Sequence, residues 1–121
     1  MVFIIGGAYQ GKLDFALERF PGRVFRCDGL DLDVAADIIY GYEQTVLAQI
    51  RNGADPLERL AEIFPGLRDK VVIMRDISCG VVPMEAENRQ WREAAGRCGG
   101  LLAKHADEVF RVFCGIGTKI K

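Results

Sequence analysis

Four apolar residues, Val2-Phe3-Ile4-Ile5, stop on a glycine pair, and Leu13, Ala16, Leu17 and Phe20 follow at helical spacing. Few folds accommodate that order. An uninterrupted apolar run suits a strand buried on both faces, and such strands lie in parallel sheets covered by helices. Residues 71–74, Val-Val-Ile-Met, form a second run of the same kind. Between and after these two the chain alternates. Pro21-Gly22 ends the first helix and residues 23–26 read as a short strand, with a turn at Asp28-Gly29 and another short strand at 38–40. Residues 42–52 read as a helix with Val46, Leu47 and Ile50 on its inner face and Gly53 just past its end. Asp55 and Pro56 fit the N-cap and first position of the next helix, with Glu58 placed as in a capping box. Leu57, Leu60, Ala61 and Phe64 would face inward there, and Pro65-Gly66 would end it.

A loop over residues 76–83 leads to a long helix over about 85–105, with Trp91, Ala94, Ala95, Cys98, Leu101 and Leu102 as its apolar face. Gly96, Gly99 and Gly100 fall inside it, and at roughly 1 kcal/mol each against alanine they predict a break or a close packing contact. Residues 109–114 read as a strand, Gly115-Ile116-Gly117 as a turn, and 118–121 as a terminal strand pairing back. Strands alternating with helices predict a single small α/β domain over 1–121, a mostly parallel sheet flanked by helices.

Bulk properties narrow the function classes. At 121 residues with 50% hydrophobic and 27% charged content, the chain fits one globular domain. A net charge of −1 offers neither a basic excess for nucleic acid nor an acidic tail. No apolar run approaches the ~20 residues that span a bilayer, and the start lacks the basic region of a signal peptide. Cys27, Cys79, Cys98 and Cys114 form no Cys-x-x-Cys pair, so no metal site is expected. Reduced thiols and a cytoplasmic location are the expectation.

The chemistry concentrates after the first strand. Gly6, Gly7, Ala8, Tyr9, Gln10, Gly11, Lys12 and Leu13 match G-x-x-x-x-G-K but not the Ser/Thr that should follow. Glycines let backbone N–H groups curl around phosphate oxygens, and the helix N-terminus adds partial positive charge. Lys12 would neutralise β/γ-phosphates, whereas Leu13 offers no hydroxyl to Mg²⁺. The same residues also read as a glycine-rich strand-to-helix turn with an incidental lysine. Asp76, at the end of the 71–74 strand, could take a substrate proton or hold a metal-bound water, or be a solvated loop aspartate. Arg89, Arg92 and Arg97 read as a solvated charged face or an anion site, with Glu93 able to pair with Arg89 or Arg97. His105, the single histidine, reads as a helix-terminal residue and Trp91 as core.

Several segments together resemble the bifunctional adenosylcobinamide kinase / adenosylcobinamide-phosphate guanylyltransferase family. Residues 4–12 resemble that family's strand and Gly-Gly-Ala-x-Ser-Gly-Lys-Ser loop. Residues 70–83 resemble its strand ending in Asn-Glu-Val-Gly and Gly-Ile-Val-Pro. Arg89, Trp91, Arg92, Glu93, Gly96 and Arg97 resemble its Arg-x-Phe-Arg-Asp-x-x-Gly-Arg helix, and residues 106–110 and 115–121 its closing segments. The resemblance implies a P-loop NTPase-like, RecA-like fold. It implies GTP or ATP as ligand with Mg²⁺ weakly if at all, a corrinoid as a candidate partner, and a homo-oligomer, a trimer being one form. It puts Cys27, Asp28 and Gly29 at the family's second nucleotide-binding loop and Lys12 and Asp76 in its catalytic positions.

Departures accompany the match. Leu13 replaces the loop serine, Asp76 replaces the glutamate, Gly99 replaces an asparagine, and Tyr40 or Gly41 stands where the family is acidic. The family transfers GMP through a histidine on a helix after the second strand; this chain has none there, and most of that segment is missing. The resulting expectation is a degenerate nucleotide-binding homologue without guanylyltransferase activity. The alternatives are a working cobinamide-type kinase and a structural or assembly module.

Overall fold

The computed structural model describes residues 1–77 and 85–121. Gly80-Val81-Val82-Pro83, Cys79 and most of the expected 76–83 loop lie outside the described residues. Strands β1 (Val2–Gly6), β2 (Val24–Arg26), β3 (Ile38–Tyr40), β4 (Val71–Arg75), β5 (Glu108–Phe113) and β6 (Ile116–Lys119) form one sheet in the order β2-β3-β4-β1-β5-β6. All neighbours are parallel except β5 and β6. The two apolar runs are the central pair, in register with Ile4 beside Ile73. Val71 to Met74 are all buried.

Because side chains alternate across a strand, each apolar run feeds two cores. Phe3, Val72, Met74 and Val109 face one side, packed under α2 (Tyr42–Arg51), α3 (Pro56–Ile63) and α4 (Ala86–His105). Ile4, Ile73, Phe110 and Val112 face the other, under α1 (Lys12–Arg19). The chain turns to opposite sides of β1 before and after β4, so β1 lies at the switch point of a P-loop-type α/β sheet, where ligands of such folds sit.

Local signals translate well at α3, where Asp55 caps the helix by accepting from the Leu57 amide at 3.0 Å, ahead of Pro56. Inner faces are less accurate. Leu17 and Ala61 point outward. On α2 the buried set is Tyr42, Glu43, Thr45, Val46 and Gln49; of the expected inner residues Val46 is buried and Ile50 packs partly buried against the core, while Leu47 joins no core cluster among the described residues. Of the polar side chains on that face, Glu43 accepts from the Arg75 amide at the end of β4. The α-helix ends at Ile63, just ahead of Pro65-Gly66 as expected, and residues Phe64–Leu67 follow as a 3₁₀ turn that buries Leu67.

The three glycines of α4 do not break it: Gly99 lies over Phe3, Ile5 and Met74, while a Cβ at Gly96 or Gly100 would meet nothing within 4 Å among the described residues. The closing turn also differs from expectation. Cys114 and Gly115 both have positive φ, 50° and 76°, the signature of a two-residue type I′ hairpin. Ile116 and Gly117 therefore belong to β6, opposite Phe113 and Val112.

Candidate functional site

Residues 7–11 connect β1 to α1, and Gly11 adopts φ +83° as the residue ahead of the helix. Its conformation is fixed from outside. The Gln10 side-chain oxygen accepts from the Cys114 amide at 2.6 Å, and the Gln10 carbonyl accepts from the Gly115 amide at 2.8 Å. A Cβ on Gly11 would approach the Gly115 backbone to 3.2 Å. The β5–β6 hairpin tip thus braces the loop. Tyr9, with φ 59°, projects fully into solvent.

The ammonium of Lys12 is folded back, donating to the Gly7 carbonyl at 2.6 Å. Its pKa lies below the ordinary lysine value: burial disfavours the charge, the nearby Glu43 carboxylate opposes that effect, and Arg75 reinforces it. Glu43, in the first turn of α2, is buried and accepts from the Arg75 amide at 2.7 Å. The Glu43 carbonyl in turn accepts from Trp91 Nε1 at 2.8 Å, and the Arg75 guanidinium lies 5.9 Å from the Trp91 ring centre. Arg75 is the strand neighbour of Gly6, at the root of the loop.

These groups surround a cavity of about 460 Å³ at the C-terminal ends of β1 to β4, a size that suits a small ligand. Ala8 to Asp14 form one wall, and Arg26, Cys27, Tyr40, Glu43, Gln44 and Arg75 form the rest of the charged and polar lining. Ala8, Tyr9, Gln10, Gly11, Lys12, Leu13 and Cys27 are therefore gathered as the sequence analysis expected. Leu13 also packs into the apolar cluster under α1. Gly6 and Gly7 lie behind the lining, and Asp28 and Gly29 fall outside it.

Asp76 is not among the residues that line this cavity; it lines an adjoining groove of about 240 Å³ against α4 that shares Arg75 with it, and its amide donates to the Gly6 carbonyl at 2.8 Å. Glu93 pairs with Arg97 at 2.6 Å, both largely exposed. Trp91 packs against the core, as expected. His105 lies against Phe64 at 5.1 Å between ring centres. Three residues before β5 begins, it sits at the opposite edge of the sheet from the cavity.

Sequence reasoning missed Glu43, Arg75 and Arg26 as site residues. A signal existed for each: all three lie at or just after the C-terminal end of a strand, the edge where parallel sheets bind ligands.

A divalent cation finds few donors here. The position after Lys12 is a leucine, and the one buried carboxylate in the lining, Glu43, has one oxygen already accepting an amide beside two cations. Among the described residues no three His, Cys, Asp or Glu side chains group as a metal site. The donor set does not fit a tightly held Mg²⁺.

A family model for cobinamide kinase / cobinamide phosphate guanyltransferase matches residues 34–120. The match covers most of the chain and begins after the loop. Two bifunctional adenosylcobalamin biosynthesis proteins named CobU are similar over 51 residues. The Salmonella typhimurium LT2 protein is 43% identical and the Escherichia coli K12 protein 41% identical. Each alignment covers 42% of this chain and 28% of the relative's length.

Proposed function

The chain belongs to the cobinamide kinase / cobinamide phosphate guanyltransferase family, and we propose that within it this protein binds a nucleoside polyphosphate, GTP or ATP, without transferring a guanylyl group. The cavity carries this reading. The loop after β1, Lys12 and two arginines line one concave site at the sheet edge used for ligands. Phosphates would lie at the N–H groups of residues 7–12, with the Lys12 ammonium turning from the Gly7 carbonyl to meet them. Transfer through histidine is disfavoured because His105, the single histidine, stands at the far edge of the sheet. Binding is weaker and less Mg²⁺-dependent than in a loop that keeps its Ser/Thr.

Calorimetry with GTP and ATP tests this reading. Lys12→Ala should weaken binding about tenfold or more, the scale of a charged contact. Equal binding by wild type and Lys12→Ala would refute a phosphate site here, and no binding under any condition would leave a structural module. Radiolabel from α-labelled GTP should not remain on the denatured protein.

One observation favours a second reading, a cobinamide-type kinase in cobalamin biosynthesis. The Glu43 carboxylate shares the cavity with Lys12 and could take the proton of a corrinoid hydroxyl; phosphorylation of cobinamide at a steady rate would establish it. Asp76, in the adjoining groove, is the second candidate base. We further assign the chain to a cytoplasmic homo-oligomer, a trimer being one form. Exposed Phe113, Ile116 and Ile120 along the β5–β6 hairpin support association, and sedimentation showing only monomer at micromolar concentration would reject it. The free, buried Cys27 and Cys98 agree with a reducing compartment. Among the described residues no helix is long and apolar enough to cross a membrane.

A further inference from the structure

We propose that Arg75, together with Arg26, neutralises the phosphates of a bound polyphosphate in place of a divalent cation, so that this site takes the metal-free form of its ligand. The inference rests on the nucleotide reading above and adds what that reading leaves open, namely which groups supply the missing positive charge.

The lining holds three cations, Lys12, Arg26 and Arg75, against two carboxylates, Glu43 and the exposed Asp14. A metal would find few anchors: Leu13 has only carbon at the position of the customary hydroxyl, and Glu43 already has one oxygen engaged with the Arg75 amide at 2.7 Å. A guanidinium keeps its charge even beside another cation, whereas a lysine gives up its proton more readily. Arg75 and Lys12 sit close enough for Arg75 to push the lysine's pKa down. Glu43 is the one buried carboxylate beside these two cations, and with Arg26 the lining keeps one more positive than negative group for a phosphate to meet.

Placement supports the role. Arg75 pairs with Gly6 across the central strands, so its side chain starts beside the first residue of the loop. It is also braced. Glu43 holds its amide through the carboxylate and fixes Trp91 through its carbonyl, and the guanidinium lies over that ring. Arg26 is placed the same way at the end of β2, its guanidinium 5.0 Å from the Tyr40 ring centre. Stacking occupies the face of a guanidinium and leaves its N–H edge for in-plane, forked contacts to phosphate oxygens.

The test is calorimetric titration of the full chain with ATP, GTP and inorganic tripolyphosphate, in excess EDTA and in excess Mg²⁺. Wild type should bind each probe in EDTA within about threefold of its affinity in Mg²⁺. Arg75→Ala and Arg26→Ala should each lose about tenfold in EDTA without recovery in Mg²⁺, and Arg75→Lys should restore part of the loss. Arg26 is exposed, so its variant carries the test if Arg75→Ala fails to fold, with Arg75→Gln as the milder substitution. Nucleotide bound only with Mg²⁺, or arginine variants that bind like wild type, would overturn the proposal while leaving the nucleotide reading intact. Tripolyphosphate bound without either nucleotide would support the arginine role and remove the nucleoside. No binding of any probe would remove both.

Discussion

Replacing Glu43 by glutamine should lower stability and raise affinity for polyphosphate, two effects of opposite sign from one lost charge. The carboxylate is buried and accepts the Arg75 amide at 2.7 Å across 32 residues of sequence, tying the start of α2 to the end of β4. A hydrogen bond to an ionised acceptor contributes about 1.5–3 kcal/mol and a neutral one about 0.5–1.5 kcal/mol. Glutamine keeps an oxygen of the same reach, so the loss should be about 1 kcal/mol, a fall in thermal midpoint of about 3–6 °C for a domain of this size. The ligand feels the change differently. A phosphate roughly 7 Å from the former carboxylate, at an effective dielectric constant of about 40, is relieved of about 1 kcal/mol of repulsion, or about fivefold in affinity. Differential scanning calorimetry reads the first effect. Titration with ATP in EDTA at neutral pH reads the second, and the gain should shrink as salt is added. A variant as stable as wild type would refute the structural role. A fall in affinity would refute the electrostatic one, since it would make Glu43 a direct ligand contact rather than a counter-charge.

Three further outcomes follow from the packing. Gly117→Ala should cost about 1–3 kcal/mol in urea unfolding, because the added Cβ would come within 2.1 Å of the Phe15 ring, itself packed on Phe110 at 5.3 Å; an unchanged midpoint would show that the ring can swing clear. Asp55→Ala should cost about 1 kcal/mol by removing the α3 cap, with Asp55→Ser restoring most of it. Burial pushes the Cys27 and Cys98 thiols up to about 11, so the folded chain keeps protons that the unfolded chain releases. Stability from these groups should therefore fall as pH rises from about 9 to about 11. Lys12, with its lowered pKa, works in the opposite direction there, and Tyr42, raised by burial, adds to the fall. Urea midpoints equal at about pH 8 and about pH 10 would contradict the net loss.

The framework was legible in the sequence because its signals are local. The central strands declare themselves by apolar runs that need cover on both faces, and residues 71–74 are buried throughout. The Asp55-Pro56 start of α3 follows from capping chemistry within three residues. The loop from Gly6 to Lys12 was legible for the same reason: glycine placement and a helix start are properties of adjacent residues. Errors appeared where burial depends on what lies overhead. Ala61 turns outward, and α2 buries Thr45 and Gln49 more deeply than Leu47, since helical period alone does not say which face meets the sheet.

The site belongs to the tertiary structure. Sequence suggested a phosphate loop around Lys12 with Asp76 as a further candidate; the fold lines the lysine's cavity with Glu43, Arg75 and Arg26 and sets Asp76 in the adjoining groove. It also sets the loop against the Cys114-Gly115 turn through Gln10, 104 residues away. Parallel strands joined by crossovers bring their C-terminal ends together regardless of separation along the chain. Which charges meet there depends on strand order, and the order β2-β3-β4-β1-β5-β6 is settled only when both faces of the sheet are packed.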